Sequence, residues 1–129
     1  MQLTRPSGLT SYWFATAAVS VALGFGGLSD VLHHPYADRT MTHLGFPLYF
    51  QVILGSWKLL AVPALLWPGL PHLKEWAYAG VFFDVSGAAL AHAVRGDRLE
   101  IVAPIAVGLL LGMSWALRPA SRRCQRLSV

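Results

Sequence analysis

The sequence predicts an all-α integral membrane protein, a four-helix up-down bundle, and three observations carry that prediction. Of its 129 residues 55% are hydrophobic and 12% charged, with a mean hydropathy of +0.51, whereas a soluble domain spends about a quarter of its residues on charge. Four apolar stretches are long enough to cross a hydrocarbon layer of about 30 Å. Short connections between them force successive helices to lie antiparallel as neighbours. The length holds one domain, read as a membrane unit over residues 1–117 and a basic cytoplasmic tail over 118–129. Five Trp, four Tyr and six Phe bury far more surface than a disordered chain does.

The first span is expected over Ser11–Leu32. Ala15-Thr16-Ala17 looks like a leader cleavage site, but the apolar run before it is too short for a signal peptide and continues well past it. Thr16, Ser20, Gly24 and Gly27 recur at close to helical spacing, and small side chains allow the backbone approach that holds helices together in lipid. The second span, Phe46–Trp67, contains Pro63; the missing amide frees the Leu59 carbonyl and predicts a kink just beyond Lys58. Pro68-Gly69-Leu70-Pro71 ends it. The third span, Trp76–Val94, repeats the small-residue face with Gly80, Gly87, Ala88 and Ala91, and Glu75 precedes it where a carboxylate offsets the positive end of the helix dipole. Arg95-Gly96-Asp97-Arg98 turns the chain into the fourth span, Ile101–Leu117, in which Ser114 is the polar side chain.

Four spans put the N-terminus, the second connection and the C-terminus on one side. That side holds Arg5, Lys74, Arg118, Arg122, Arg123 and Arg126; the other holds Arg39, Arg95 and Arg98. The bias places both termini in the cytoplasm, with a bacterial inner membrane as the expected setting. Trp13, Trp67, Trp76 and Trp115 all fall at the cytoplasmic ends of their spans, at one interfacial level.

Two ionisable residues interrupt the apolar interior. Lys58 lies near the middle of span two and Asp84 near the middle of span three, each costing about 2.5–3.5 kcal/mol at a helix centre. Their similar depth on adjacent antiparallel helices predicts a Lys58–Asp84 pair, either a device that fixes helix register or a substrate or proton site. Gln51, two turns from Lys58 on nearly the same face, extends a polar stripe into the bundle.

Histidines crowd the opposite side: His33, His34 and His43 in or beside the first connection, and His92 near the end of span three. Asp30 stands one turn before His33 and His34, so a continuing helix would place the three on one face. Asp30, His33, His34 and His92 are thus the candidates for a zinc, copper or haem-iron site. No metal signature accompanies them, and hydrogen-bonded or solvated histidine is the preferred reading. The single cysteine, Cys124, excludes an internal disulfide and a Cys-x-x-Cys redox pair. The arginines of the tail have no aromatic platform or recognition helix beside them, which argues for a lipid-headgroup anchor and against nucleic acid.

Leu44-Gly45-Phe46-Pro47-Leu48-Tyr49-Phe50, then Ile53 to Leu60 with the core Gly55-Ser56-Trp57-Lys58, then Leu73-Lys74-Glu75-Trp76-Ala77-Tyr78-Ala79-Gly80, Phe83-Asp84 and His92 together resemble the DoxX-like family of small four-helix membrane proteins. Phe46 departs from the family pattern by lacking a tyrosine hydroxyl. The resemblance implies the four-helix fold, and it makes Lys58, Glu75, Asp84 and His92 the polar residues of the shared pattern. Relatives in the wider DoxX group include a subunit of a thiosulfate:quinone oxidoreductase and membrane partners of redox enzymes.

Two functions follow as expectations. One is a redox-associated membrane subunit or partner, linked to a quinone or another lipophilic small molecule and to a redox partner protein. The other is a stand-alone enzyme acting on a lipophilic substrate, with Asp84 or Glu75 as general acid/base and Lys58 as electrostatic stabiliser. Gln51, Trp57, Tyr78 and His92 are the candidate ligand contacts in either case. A small proton-coupled exporter fits less well, because span one has no acid before Asp30 near its end.

Overall fold

A computed structural model describes residues 6–124, and the regular structure among them is entirely helical. The elements are α1 (Pro6–Val31), α2 (Pro35–Leu44), α3 (Leu48–Leu66), α4 (Pro71–Arg95) and α5 (Val102–Ala116), followed by one 3-10 turn at Ala120–Arg122. Proline at the first turn opens both α2 and α4, where its absent amide costs no hydrogen bond. α3 runs unbroken through Pro63 to Leu66.

The four expected spans correspond to α1, α3, α4 and α5. Three of them, Ser7–Val31, Leu48–Leu66 and Pro71–Arg95, are long and apolar enough to cross a membrane. The fourth is a 15-residue apolar helix, about 22 Å long, which is shorter than the hydrocarbon layer. The fifth helix, α2, falls where the sequence reading has a loop. It is short and amphipathic, buries Ala37 and Met41, and ends at Gly45 with φ 87°. Only a residue without Cβ adopts that conformation cheaply.

α1 packs along both α3 and α5, α4 packs on α5, and α4 meets α3 over a thinner seam. The apolar core joins Val19 and Leu23 of α1, Leu65 of α3, Tyr78, Val81 and Val85 of α4, and Leu111 of α5. Within it Ser114 Oγ lies 2.6 Å from Thr16 Oγ1 and 2.7 Å from Tyr78 Oη, so three helices share one buried hydroxyl network. Large apolar side chains cover the outside, with Phe25, Trp76 and Val94 each more than 70% exposed. A soluble surface does not carry that much contiguous apolar area; a lipid-facing one does.

All four interfacial tryptophans sit at one end of the bundle. Trp13 lies near the start of α1, Trp67 caps α3, Trp76 lies early in α4 and Trp115 late in α5. Basic side chains at this end close helix termini. Arg122 donates to the Leu65 and Leu66 carbonyls at 3.2 Å and stacks 4.8 Å from the Trp13 ring centre. Lys74, itself buried, donates to Ala64 O at 3.0 Å and to Trp67 O. Arg123 reaches the Arg118 and Ala116 carbonyls. The described part of the tail thus folds back onto carbonyls that α3 and α5 leave unpaired. Cys124 is exposed, its Sγ 3.6 Å from His72 Nδ1. Arg5 and Arg126, which contribute to the orientation argument, lie outside the described residues, as do residues 125–129 of the tail.

Candidate functional site

The site begins with two glycines. A Cβ on Gly27 would stand 2.8 Å from the Gly55 carbonyl oxygen, and a Cβ on Gly55 would stand 2.8 Å from the Gly27 oxygen and 2.6 Å from Asp30 Cβ. α1 and α3 therefore touch backbone to backbone. Three residues further along each helix, Asp30 Oδ2 and Lys58 Nζ meet at 2.9 Å. Asp84 Oδ2 of α4 lies 3.9 Å from the same ammonium. The three side chains keep 13%, 23% and 19% of their surface accessible for Asp30, Lys58 and Asp84. One cation thus sits between two carboxylates contributed by two other helices. The sequence expectation of Lys58 beside Asp84 describes the longer of these contacts. Asp30, read with the histidines, is the nearer partner.

Two cavities meet at this cluster, and Leu54, Lys58 and Asp84 line both. The first, about 270 Å³, opens in the seam between α3 and α4 toward Trp57 and Trp76. Beyond Lys58 and Asp84 its walls are aliphatic and indole. The second, about 500 Å³, reaches the other way, bounded by Phe25 and Asp30 of α1, Met41 of α2, Phe50 of α3, and Phe83 and His92 of α4. Ser29, Tyr36 and Thr40 add hydroxyls to its walls. A mostly apolar hollow with a few convergent polar groups is the usual form of a site for a lipophilic ligand. Among the described residues Lys58 makes one hydrogen bond, to Asp30, so its ammonium keeps donor capacity toward either cavity.

At the α2 end two carboxylates gather the polar residues. Fully buried Gln51 donates from Nε2 to Asp30 O at 3.1 Å and to Asp38 Oδ1 at 2.8 Å, tying α3 to α1 and α2. His33 Nδ1 lies 3.1 Å from the same Asp38 oxygen. The Gln51 bond first, with the His33 contact behind it, holds the Asp38 carboxyl below its ordinary value. Gly96, φ 79°, ends α4 and turns the chain back, so Asp97 N donates to His92 O at 3.0 Å. The Asp97 carboxylate then takes His92 Nδ1 at 3.1 Å and His43 Nε2 at 2.8 Å. Those two bonds hold the Asp97 carboxyl below its ordinary value, His92 contributing most.

The remaining candidates are dispersed. Glu75 pairs with Arg118 and accepts from Trp115 Nε1 at 3.2 Å; nine residues along α4, it is about 13 Å from Asp84. Trp57 lines the smaller cavity. Tyr78 is buried in the hydroxyl network and lines a separate hollow of about 360 Å³ between α4 and α5. The helical face expected to carry Asp30, His33 and His34 does not form, because α1 ends at Val31 and His33 adopts φ 54°. Asp30 goes to Lys58, His33 to Asp38, His34 to the cap of α2 and His92 to Asp97. Among the described residues no group of three or more His, Cys, Asp or Glu is placed to hold a metal ion. Asp97 and Asp38 are the carboxylates that sequence reasoning passed over, and His43, counted among the histidines, was not among the candidate ligands. Gly96 directly before Asp97 is the signal that folds it onto His92.

Residues 14–114 match the DoxX-like family. No curated protein matches the chain, and no solved structure does. The match spans α1 from its third turn to nearly the end of α5, so the chain belongs to the DoxX-like family and is an integral membrane protein.

Proposed function

We propose that this member of the DoxX-like family is a redox-associated membrane subunit or partner that binds a quinone-class molecule at the Asp30–Lys58–Asp84 cluster. The observation that carries the reading is a lysine ammonium with unused donors, set between two apolar cavities. The residues present fit such a ligand. Phe50 and Phe83 offer ring-sized apolar walls, Lys58 donates to a carbonyl oxygen, and Asp84 holds or releases a proton beside it. When bound, a quinone supplies two-electron, two-proton carrier chemistry. The chain supplies binding, orientation and exclusion of water.

A titration of the detergent-purified protein with a short-chain benzoquinone, read by tryptophan fluorescence, tests the reading. Trp57 and Trp76 line the smaller cavity, so saturable quenching is expected, lost in Lys58→Met. Quenching that never saturates, or is the same in Lys58→Met, overturns it. Turnover of a lipophilic substrate by the isolated protein, abolished in Asp84→Asn, would point instead to a stand-alone enzyme.

The orientation rests on the Lys and Arg bias, with both termini in the cytoplasm. Reporter fusions at residue 129 and at Asp38 decide it. A periplasm-only reporter active on the C-terminal fusion would reverse it.

A further inference from the structure

The ion cluster has a charge count that does not close. Lys58 supplies one positive charge, Asp30 and Asp84 two negative ones, and among the described residues neither carboxylate has another ion-pair partner. A carboxylate without its own counter-ion in this setting is either protonated or stranded. Asp30, at 2.9 Å, takes the ammonium, and Asp84, at 3.9 Å, is the less compensated carboxylate, the one a proton would neutralise. That proton needs a way in.

The two cavities differ in what they offer. The one toward Trp57 and Trp76 has no proton-carrying group beyond the cluster itself, since an indole donates but cannot accept. The other is lined by His92, and His92 is the inner member of a chain leading to the surface. His92 keeps 10% of its side-chain surface, Asp97 17% and His43 55%. With Asp97 ionised, His92 Nδ1–H and His43 Nε2–H both donate to it; with Asp97 protonated, its hydroxyl donates to His92 Nδ1 and the His92 proton stands on Nε2. The other ring nitrogen of His92 is left to exchange with the cavity.

We propose that His43, Asp97 and His92 form a proton relay from the α2 face of the bundle to the cavity that holds Asp84, so that the cluster exchanges protons with that face alone. The step balances without a further reactant. Solvent protonates His43 Nδ1 as the Nε2 proton of His43 passes to Asp97, leaving a neutral carboxyl. In the His92 tautomer that carries its proton on Nε2, the bare Nδ1 takes the proton from that carboxyl as Nε2–H is released into the cavity. The next turnover requires His92 to return to that tautomer. From His92 to Asp84 is eight residues of α4, about 12 Å, a distance that a short water chain covers in a hollow of about 500 Å³.

The titratable and charged groups around this route are Asp30 of α1, Tyr36 and His43 of α2, Lys58 of α3, Asp84 and Arg95 of α4, and Asp97. Arg95 lies against Gly45, the end of α2, and α5 brings no titratable side chain. The other histidine–carboxylate pair at this end, His33 with Asp38, leads to the amide of Gln51. An amide with two donors committed passes no proton on. The relay therefore runs through Asp97, and it rests on reading the larger cavity as the working site.

Infrared difference spectroscopy after a pH jump tests it on the full chain in detergent. The protonated-carboxyl band that disappears in Asp84→Asn identifies the group. Wild type should gain and lose that band quickly, and Asp97→Asn should slow the change by about 10²-fold or more. His43→Gln, at an exposed position, guards against misfolding and should slow it in the same direction. Equal rates in wild type and both variants overturn the relay, as does the lack of any Asp84 band across the pH range. Benzoquinone titration of the same samples separates the two readings. Normal quinone binding with unchanged rates removes the relay alone; slowed rates without quinone binding remove the ligand reading alone.

Discussion

Gly27 and Gly55 lie in backbone contact, each leaving 2.8 Å between a would-be Cβ and the other's carbonyl oxygen. The contact sets the separation of α1 and α3 just where Asp30 and Lys58 must meet. Gly55→Ala forces a methyl against two backbone-anchored atoms, one of them Asp30 Cβ at 2.6 Å, and should destabilise the bundle by about 1–3 kcal/mol. Gly80→Ala, with nothing within 4 Å, should be neutral or slightly stabilising. Unfolding in detergent compares them. Equal effects would mean the helices slide apart at no cost.

The same crossing makes Asp30 the dominant partner of Lys58. Lys58→Met, which strands two carboxylates, should cost about 3–5 kcal/mol, and Asp30→Leu with Lys58→Met should recover much of the loss. Asp84→Leu with Lys58→Met should recover less, because the Asp84 contact is 1 Å longer (2.9 against 3.9 Å). Double-mutant cycles in detergent measure both couplings. A larger Asp84 coupling would place the main pair between α3 and α4 instead.

The limits of legibility are visible at these residues. Lys58 and Asp84 stand out in the sequence because charge in an apolar run is costly wherever the helices pack, and the depth match follows from counting. Asp30 does not stand out, since its meeting with Lys58 depends on which faces of α1 and α3 cross, a long-range fact with no local period. The spans α1, α3 and α4 were legible as long apolar runs, within a few residues at most ends. α2 was not, although Pro35 at its start, Gly45 after its end and Ala37, Met41, Leu44 at helical spacing all mark a short helix. A ten-residue polar stretch between two spans reads as a loop unless caps are weighed above hydropathy.

Acid should loosen the α2 end first. The Asp97 and Asp38 carboxyls titrate below the ordinary 3.8 in the folded chain. A depressed folded value contributes stability that is present above the unfolded value and lost as pH falls through the folded one. Amide exchange near Gly96 and Asp97 should therefore rise as pH drops below about 4. Asp97→Asn should remove most of that response there and leave the segment around Asp38 as it was. A pH-independent exchange rate at Gly96, after correction for intrinsic chemistry, would count against the Asp97 bonds.

At the opposite end Glu75 and Arg118 give an asymmetric prediction. Arg118 is 5% exposed, bonds Glu75, donates from Nε to Trp115 O at 2.9 Å, and lies 5.1 and 5.2 Å from the Tyr78 and Trp115 ring centres. Arg118→Met removes all of these and leaves Glu75 without its counter-ion, so it should cost about 1–3 kcal/mol, between the surface and buried-pair limits. Glu75→Gln leaves the stacking and the carbonyl bond in place and keeps an acceptor for the guanidinium, so its cost should be smaller, under about 1 kcal/mol. The comparison also decides what Glu75 is for. About 13 Å along α4 from Asp84, it is too far to share a substrate atom with Lys58, and Glu75→Gln should leave benzoquinone binding unchanged while Lys58→Met removes it. Loss of binding in Glu75→Gln, with unfolding free energy intact, would return Glu75 to the working site and require a ligand that reaches along the α3–α4 seam to the tryptophan end.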